Sequence, residues 1–190
     1  MSGDRGKLLI AIARSAISEA LGISLDGFVP PSPDAEWLQE RGACFVTLKL
    51  DESLRGCIGS LEAYRPLLED LHANAVNAAF HDPRFPPLTA GEFSKVRIEV
   101  SLLGPLEPLP PHSSEEAIIA MLRPGTDGIV FSFGPHRATF LPQVWEQLPE
   151  PHSFLAHLKL KAGLPPDFWH DDVLISRYQV HKFDEAPATE

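Results

Sequence analysis

The sequence predicts an α+β fold built on antiparallel or mixed β-sheet with flanking helices. Two observations support this. Helical and extended patterns alternate along the 190 residues, and two of the extended patterns are pairs of strands joined by short turns, which favours antiparallel pairing over a doubly wound parallel sheet. A hydrophobic content of 44% is enough to bury a sizeable core. Length alone predicts one compact domain or two closely fused subdomains.

The N-terminal half begins with apolar residues at helical spacing, and Gly22 follows them as a C-cap. Prolines then disfavour regular structure. Further on, apolar and polar residues alternate on both sides of a polar turn, as in a hairpin, before a proline that opens a helix. The predicted elements are a helix over 5–21, an irregular arm over 28–37, a hairpin around the turn 51–53, and a helix from Pro66 to the pair Asp82 and Pro83.

In the C-terminal half, alternation from Val96 to Leu102 predicts a strand with one solvated face. Ser113 and Glu116 have the spacing of a capping box, which predicts the start of a helix reaching Leu122. The remaining predicted elements are a hairpin over 127–141, a short helix from Pro142, a helix over 153–162, one strand over 173–183 and a disordered tail over 184–190.

The charge balance narrows the classes of function. With 26 acidic against 16 basic residues, the net charge of −10 repels a phosphate backbone and argues against nucleic acid as a partner. Arg14 and Ser15 interrupt the apolar N-terminal run too early for a signal peptide or a membrane span, so the sequence predicts a cytoplasmic protein with no membrane partner. Its two cysteines, Cys44 and Cys57, are therefore expected to be free thiols.

The segment LRGCIGS, residues 54–60, is the first candidate site. In a regular strand Arg55, Cys57 and Gly59 point to one face, which would place a guanidinium beside a thiol. A neighbouring cation enriches the reactive thiolate. The small residues Gly56 and Gly59 would let a ligand approach closely. This interpretation makes Cys57 an accessible, activated thiol.

A structural interpretation of the same segment stays open. In it Cys57 is a small buried residue, the glycines mark a β-bulge, and Arg55 is solvated or paired with an acid such as Glu62. Cys44, which lies in mid-strand without nearby charge in the sequence, is expected to belong to the core.

The segment HDPRFPPL, residues 81–88, is the second candidate, because a loop stiffened by three prolines often carries a site. If it folds toward Cys57, His81 is positioned to act as the base for that thiol. Asp82 and Arg84 would bind substrate. The alternative is turn chemistry, with Asp82 bonded to backbone amides and Arg84 as its partner.

Metal and nucleotide sites receive little support from the sequence. The eight histidines are scattered and no Cys or His pair has the spacing of a zinc finger, so no metal site is predicted. The glycine patterns of dinucleotide, phosphate-loop and serine-hydrolase sites do not occur, and the cofactor is left unassigned.

Six motifs occur in a fixed order: GACFVTLK, LRGCIGS, NAAFHDPRFPPL, IEVSLLGPLEPL, TFLPQVW and FLAHLKLKAGL. Together they resemble the AMMECR-one domain family, whose hallmark hexapeptide falls on residues 54–59 and whose Asp-Pro-Arg-Phe motif falls on 82–85. The resemblance runs from Leu8 to Phe183. It implies a single α+β domain over 1–183, made of two interleaved subdomains with the hexapeptide near a cleft between them.

The resemblance does not imply a settled reaction. Bacterial and archaeal members are associated with a MEMO-type protein and a radical SAM protein, in the so-called AmmeMemoRadiSam system, which implies an enzyme or accessory factor acting with such partners. The leading hypothesis is a cysteine-dependent site with Cys57 as nucleophile or redox thiol and Arg55 holding its thiolate or an anionic substrate group. The alternative is a non-catalytic protein-interaction module, and RNA binding is a third hypothesis that the charge disfavours.

Overall fold

The structure is a computed structural model and describes residues 2–25 and 32–185. It has an α+β fold, as predicted, with the elements α1 (Ser2–Leu21), α2 (Glu36–Gln39), β1 (Cys44–Leu50), β2 (Ser53–Gly59), α3 (Leu67–Phe80), α4 (Ala90–Phe93), β3 (Arg97–Leu103), β4 (Glu107–Pro108), α5 (Glu115–Met121), β5 (Gly128–Phe133), β6 (His136–Phe140), a 3-10 helix (Pro142–Glu146), α6 (Pro151–Lys161), β7 (Leu174–Tyr178) and β8 (Val180–Asp184).

The chain divides into two compact units. The first contains the described residues up to Leu103 together with 181–185, and the second runs from Gly104 to Val180. Each unit has its own four-stranded sheet, in the order β2-β1-β3-β8 for the first and β4-β7-β5-β6 for the second.

In the first unit, β1 pairs antiparallel with both β2 and β3. Alternation along β1 sends Cys44, Val46 and Leu48 to one face, where they are fully buried in a core shared with α1 and α3. The other face of the same strand carries Phe45, Thr47 and Lys49, which are half-buried. The candidate site lies on this second face and along the edge strand β2.

The second unit has a separate core under its own sheet. Trp145 of the 3-10 helix stacks on Phe154 of α6 with ring centroids 3.7 Å apart. The Trp145 indole nitrogen donates a 2.7 Å hydrogen bond to the Asp127 carbonyl, which satisfies the polar edge of a buried ring. Lys159 is fully buried but donates to Glu115 at 2.7 Å and to the Phe168 carbonyl at 3.0 Å.

The structure corrects four sequence predictions. The strand expected over 173–183 is interrupted at Gln179, so β7 and β8 belong to different sheets. The helix expected from Ser113 starts at Glu115 because Ser114, not Ser113, caps it by accepting a hydrogen bond from the Ala117 amide. The disordered tail predicted over 184–190 is wrong for its first two residues, since Asp184 ends β8 and Glu185 pairs with Arg14 at 2.6 Å, while 186–190 lie outside the described residues. Finally, part of the arm predicted over 28–37 is helical, as α2, while its residues up to 31 lie outside the described residues.

Candidate functional site

Cys57 lies on the polar face of the first sheet, in a cross-strand row with Thr47 and Glu99. Thr47 of β1 is paired with Cys57 on one side and with Glu99 of β3 on the other. The Thr47 hydroxyl donates a hydrogen bond to the Cys57 sulfur, with Oγ1 and Sγ 3.3 Å apart. Cys57 is half-buried and free of any disulfide. Its sulfur therefore has a hydrogen-bond donor beside it that could stabilise a thiolate.

Arg55 does not occupy the position that strict alternation predicts. Leu48 pairs with Gly56 and Lys49 pairs with Leu54, so Arg55 is the extra residue of a β-bulge. Its guanidinium binds Glu92, with Nε 2.9 Å from Oε1, and its Nη2 donates to the Pro86 carbonyl at 2.9 Å. The hydrogen bonds of the described residues include none between this guanidinium and the thiol. The acid it pairs with is Glu92, where the structural interpretation suggested Glu62.

The Glu92 carboxylate links Arg55 to the start of α4. It forms a capping box with Thr89, accepting from the Thr89 amide at 2.9 Å while Thr89 Oγ1 accepts from the Glu92 amide. The hydrogen bonds from Arg55 and from Thr89 lower the pKa of Glu92 to about 2. Arg55 thus ties β2 to the loop that precedes α4.

The loop 81–88 does fold against Cys57, through Asp82 and Arg84. Asp82 is only 3% exposed and its Oδ2 accepts a 2.9 Å hydrogen bond from the Cys57 amide. Arg84 holds the same carboxylate with Nε and Nη2, and its Nη2 lies 3.3 Å from the Cys57 carbonyl oxygen. Because β2 is the edge strand, these two side chains satisfy backbone groups that a further strand would otherwise bind.

The contacts between Asp82 and Arg84 strongly favour the charged form of both side chains. The hydrogen bonds from Arg84, helped by those from the Cys57 and Arg84 amides, hold the pKa of Asp82 well below its usual value in spite of its burial. The hydrogen bonds to Asp82 raise the pKa of Arg84, and the charges of Asp82 and of a Cys57 thiolate raise it further. Of Arg55 and Arg84, Arg84 is the one that bonds to Cys57, through the backbone carbonyl oxygen.

His81 lies next to Asp82 in the chain but is directed elsewhere. Its ring is exposed, and Nδ1 lies 3.0 Å from the Asn77 side-chain oxygen, one turn back on α3. No hydrogen bond of the described residues joins it to Cys57. His81 therefore stays a candidate base only on the strength of its place in the loop.

Both glycines of the hexapeptide are explained by packing. A Cβ at Gly56 would lie 2.1 Å from the Ala78 carbonyl oxygen of α3. A Cβ at Gly59 would lie 2.2 Å from Cγ of the Phe45 ring. The space that the sequence assigned to a ligand is thus filled by the protein itself.

Cys44 provides a contrast within the same unit. It is fully buried, as predicted, and the fold brings a charge close that the neighbouring sequence does not show, because its sulfur lies 3.5 Å from Oδ2 of Asp70. Burial, followed by the charge of Asp70, raises the pKa of the Cys44 thiol far above its usual value. Asp70 is itself held by Ser60, Arg65 and Asn74. This thiol is in a structural network and is unsuited to nucleophilic chemistry.

Glu99 completes the polar row and is 7% exposed. It accepts from Lys49 at 2.8 Å, and Lys182 lies 3.7 Å away. Burial opposes its ionisation, yet the hydrogen bond from Lys49 and the charge of Lys182 keep the pKa of Glu99 below its usual value. The negative charge nearest to Thr47 in the row is therefore neutralised by two ammonium groups.

Sequence reasoning missed Thr47, Glu92 and Glu99. Thr47 and Glu99 were detectable in principle as polar residues on the outer face of alternating strands, but their pairing depends on a register that a single strand does not reveal. Glu92 is 37 positions from Arg55, and only the folded loop brings them together. Within 2–25 and 32–185, no group of three or more His, Cys, Asp and Glu residues could hold a metal ion. No helix in these ranges is long and apolar enough to cross a membrane.

Comparison with known proteins decides the family. The sequence matches the AMMECR1 family over residues 10–183. The chain belongs to this family. A protein of Methanothermobacter thermautotrophicus is 39% identical over 191 residues, covering 97% of this chain and 96% of that protein. Protein MJ0810 of Methanocaldococcus jannaschii is 41% identical over 159 residues, covering 80% and 77%.

The fold of this AMMECR1-family chain also has a solved counterpart. The crystal structure of the uncharacterized protein PH0010 from Pyrococcus horikoshii matches it with a TM-score of 0.77 and 34% sequence identity, covering 96% of this chain and 92% of that one. The resemblance drawn from the six motifs is thus confirmed. The names of these relatives assign no reaction.

Proposed function

We propose that this chain carries a thiol-dependent site in which Cys57 is the nucleophile or redox thiol. The observation that carries the proposal is the difference between the two cysteines: Cys57 is a half-buried residue whose sulfur accepts a hydrogen bond from Thr47, whereas Cys44 is fully buried beside a carboxylate. A thiolate is the reactive form of cysteine, and burial beside a carboxylate disfavours it at Cys44.

Each neighbouring residue has a separate role in the proposed site. Thr47 donates to the thiolate, and Arg84 supplies the cation that the sequence assigned to Arg55. Asp82 is a positioning residue, because it fixes both the Cys57 amide and the Arg84 guanidinium. Arg55 holds the bulge and the loop before α4.

The first test is the rate of alkylation at each cysteine. Iodoacetamide should modify Cys57 at least about tenfold faster than Cys44 in the folded chain, because a buried thiol next to a carboxylate rarely ionises. Peptide mass spectrometry over a time course measures both rates in one sample. In urea the two rates should converge. Equal and negligible modification of both cysteines in the folded chain would remove the basis of the proposal.

The second test concerns Thr47. Replacing Thr47 by Val keeps a β-branched side chain on β1 but removes the donor, so alkylation of Cys57 at neutral pH should slow by about tenfold, as expected for loss of a hydrogen bond to a charged group. Thr47→Ser retains the hydroxyl and should stay near the wild-type rate. The idea that Thr47 assists the thiolate is contradicted if the Val and Ser variants react alike.

A non-catalytic interaction module is the second candidate, and the packing of the hexapeptide favours it. Gly56, Gly59, Asp82 and Arg84 all take part in fixing the edge strand, so the motif is explicable without chemistry. On this proposal the chain acts with MEMO-like and radical SAM partners of the kind that the family resemblance implies. Leu54, a leucine of β2 that is 43% exposed, is then a natural contact.

Co-purification with such partners separates the two candidates. If the module proposal holds, Cys57→Ser leaves complex formation intact, whereas Leu54→Lys, which stays on the surface, weakens it. Loss of the complex with Cys57→Ser alone would favour the thiol-dependent site. A cytoplasmic location remains part of both proposals.

A further inference from the structure

Arg84 is more firmly held than its exposure suggests. Its side chain is 53% exposed, yet Nε lies 3.0 Å from Asp82 Oδ1 and Nη2 lies 2.7 Å from Asp82 Oδ2. Its own amide also donates to Asp82 Oδ1 at 3.0 Å. The Asp82 carboxylate is buried, so a two-point contact with a fixed acid sets the plane of the guanidinium.

One edge of this guanidinium is not used by these bonds. Nε and Nη2 bind Asp82, and Nη2 also donates to the Cys57 carbonyl at 3.3 Å. Nη1 takes no part in them. No hydrogen bond within 2–25 and 32–185 uses the two N–H groups of Nη1, and a fixed guanidinium bound to the backbone of the proposed nucleophile then has the geometry of an anion-binding group.

The other cations of this region are less suitable for an anionic ligand. Arg55 is 8% exposed and binds Glu92. Lys49 is bound to Glu99 at 2.8 Å. Arg84 is the one of these three that combines an exposed side chain with a hydrogen bond to Cys57 itself.

We propose that Nη1 of Arg84 binds an oxyanion of the molecule that reacts with Cys57, so that the substrate is an anionic electrophile carrying a carboxylate or phosphate close to its reactive atom. This inference rests on the proposed thiol-dependent function and names its substrate class. A preorganised arginine costs little further side-chain entropy when the anion binds, which favours recognition even at a partly exposed site.

Two alkylating reagents of matched chemistry test the proposal. Iodoacetate carries a carboxylate and iodoacetamide is neutral. With each of them the Cys57 thiolate attacks the CH2 carbon, a carbon–sulfur bond forms, the carbon–iodine bond breaks and iodide leaves with the electron pair. The ratio of the iodoacetate rate to the iodoacetamide rate cancels the intrinsic reactivity of the thiolate and reports recognition of the carboxylate.

For the wild-type chain we expect this ratio to exceed that of the urea-unfolded chain by about fivefold. This factor corresponds to about 1 kcal/mol, which is typical of a partly exposed ionic contact. Arg84→Gln should reduce the ratio to the unfolded level. Arg41→Gln makes the same change in net charge at an exposed arginine of the first unit and should keep the wild-type ratio. If Nη1 of Arg84 also binds phosphate, inorganic phosphate should slow the reaction of Cys57 with iodoacetate but not its reaction with iodoacetamide. If acetate slows the iodoacetate reaction and phosphate does not, the substrate class is restricted to carboxylates.

The outcomes separate this inference from the function on which it rests. If Cys57 reacts with neither reagent, the thiol-dependent function fails. Cys57 could instead react readily with a rate ratio equal to that of the unfolded chain, or with the same ratio in Arg84→Gln as in wild type. Either result would overturn anion binding by Arg84 and leave the reactive thiol in place. Circular dichroism of Arg84→Gln checks that the loop variant is folded, and Arg84→Lys, which keeps the charge without the planar fork, should give an intermediate ratio.

Discussion

Replacing Gly56 by Ala is expected to destabilise the protein by about 3 kcal/mol, near the upper end of the range for overpacking a core. The added Cβ would lie 2.1 Å from the Ala78 carbonyl oxygen, which is main chain and cannot rotate away. Either α3 moves off the sheet or β2 moves outward. Urea unfolding followed by circular dichroism measures the loss.

Gly3→Ala is the matched control. It makes the same chemical change within α1, at a position where nothing lies within 4 Å of the new Cβ. Alanine should be neutral or stabilising by up to about 1 kcal/mol there, because it favours the helix more than glycine does. If Gly56→Ala unfolds at the wild-type urea concentration, the approach of α3 is not what requires glycine in the hexapeptide.

The same substitution tests whether the hexapeptide has a packing role or a chemical one. Displacement of β2 would also move Cys57 relative to Thr47, so the alkylation of Cys57 should change together with the stability. In Gly56→Ala the two effects are coupled. In Thr47→Val, where no backbone has to move, the rate should change with little loss of stability, and this difference distinguishes a packing role from a chemical one.

The alternating patterns were sufficient to predict the fold class, the first hairpin and the core position of Cys44. Those features depend on periodicity within one segment, which a sequence displays directly. The structural interpretation expected a β-bulge at the glycines, but its position at Arg55 was not predictable, because it is a property of the pairing between β1 and β2 and appears only as a shift between Leu48 and Lys49. The guanidinium that alternation placed beside the thiol binds Glu92 and the Pro86 carbonyl instead.

The site was partly predictable for a similar reason. The loop 81–88 was identified from its prolines and its charged residues, and it does contact Cys57. Which of its side chains would do so was not determined, and His81, the chemically attractive one, bonds to Asn77 instead. Arg84 can bond to the Cys57 carbonyl because β2 is an edge strand. The order of strands in the sheet determines this, and the local sequence does not show it.

Asp82→Asn is expected to destabilise the first unit by about 2 kcal/mol at neutral pH, since the charge-assisted hydrogen bonds of the buried carboxylate are lost, while Arg84, whose side chain is 53% exposed, is left solvated. The Asn side chain still offers one acceptor oxygen to the Cys57 amide. Its NH2 group, however, would face the N–H groups of Arg84. Asp51→Asn makes the same change at an exposed turn of the hairpin and should have almost no effect, since asparagine tolerates the positive φ of that position.

The stability difference between wild type and Asp82→Asn should depend on pH in a direction that packing alone would not produce. The pKa of Asp82 is lower in the folded chain than in the unfolded chain, so its contribution is complete above about pH 4 and is lost as the pH falls toward the folded value. The asparagine variant lacks this dependence. The difference in urea midpoint between wild type and Asp82→Asn should therefore shrink from pH 7 to pH 3, and a difference that stays constant over this range would mean that Asp82 acts through its shape and not its charge. The same carboxylate also fixes Arg84. At pH 7 the ratio of the iodoacetate rate to the iodoacetamide rate should therefore be lower in Asp82→Asn than in wild type. Such a result would link the stability of the edge strand to the recognition of the anion.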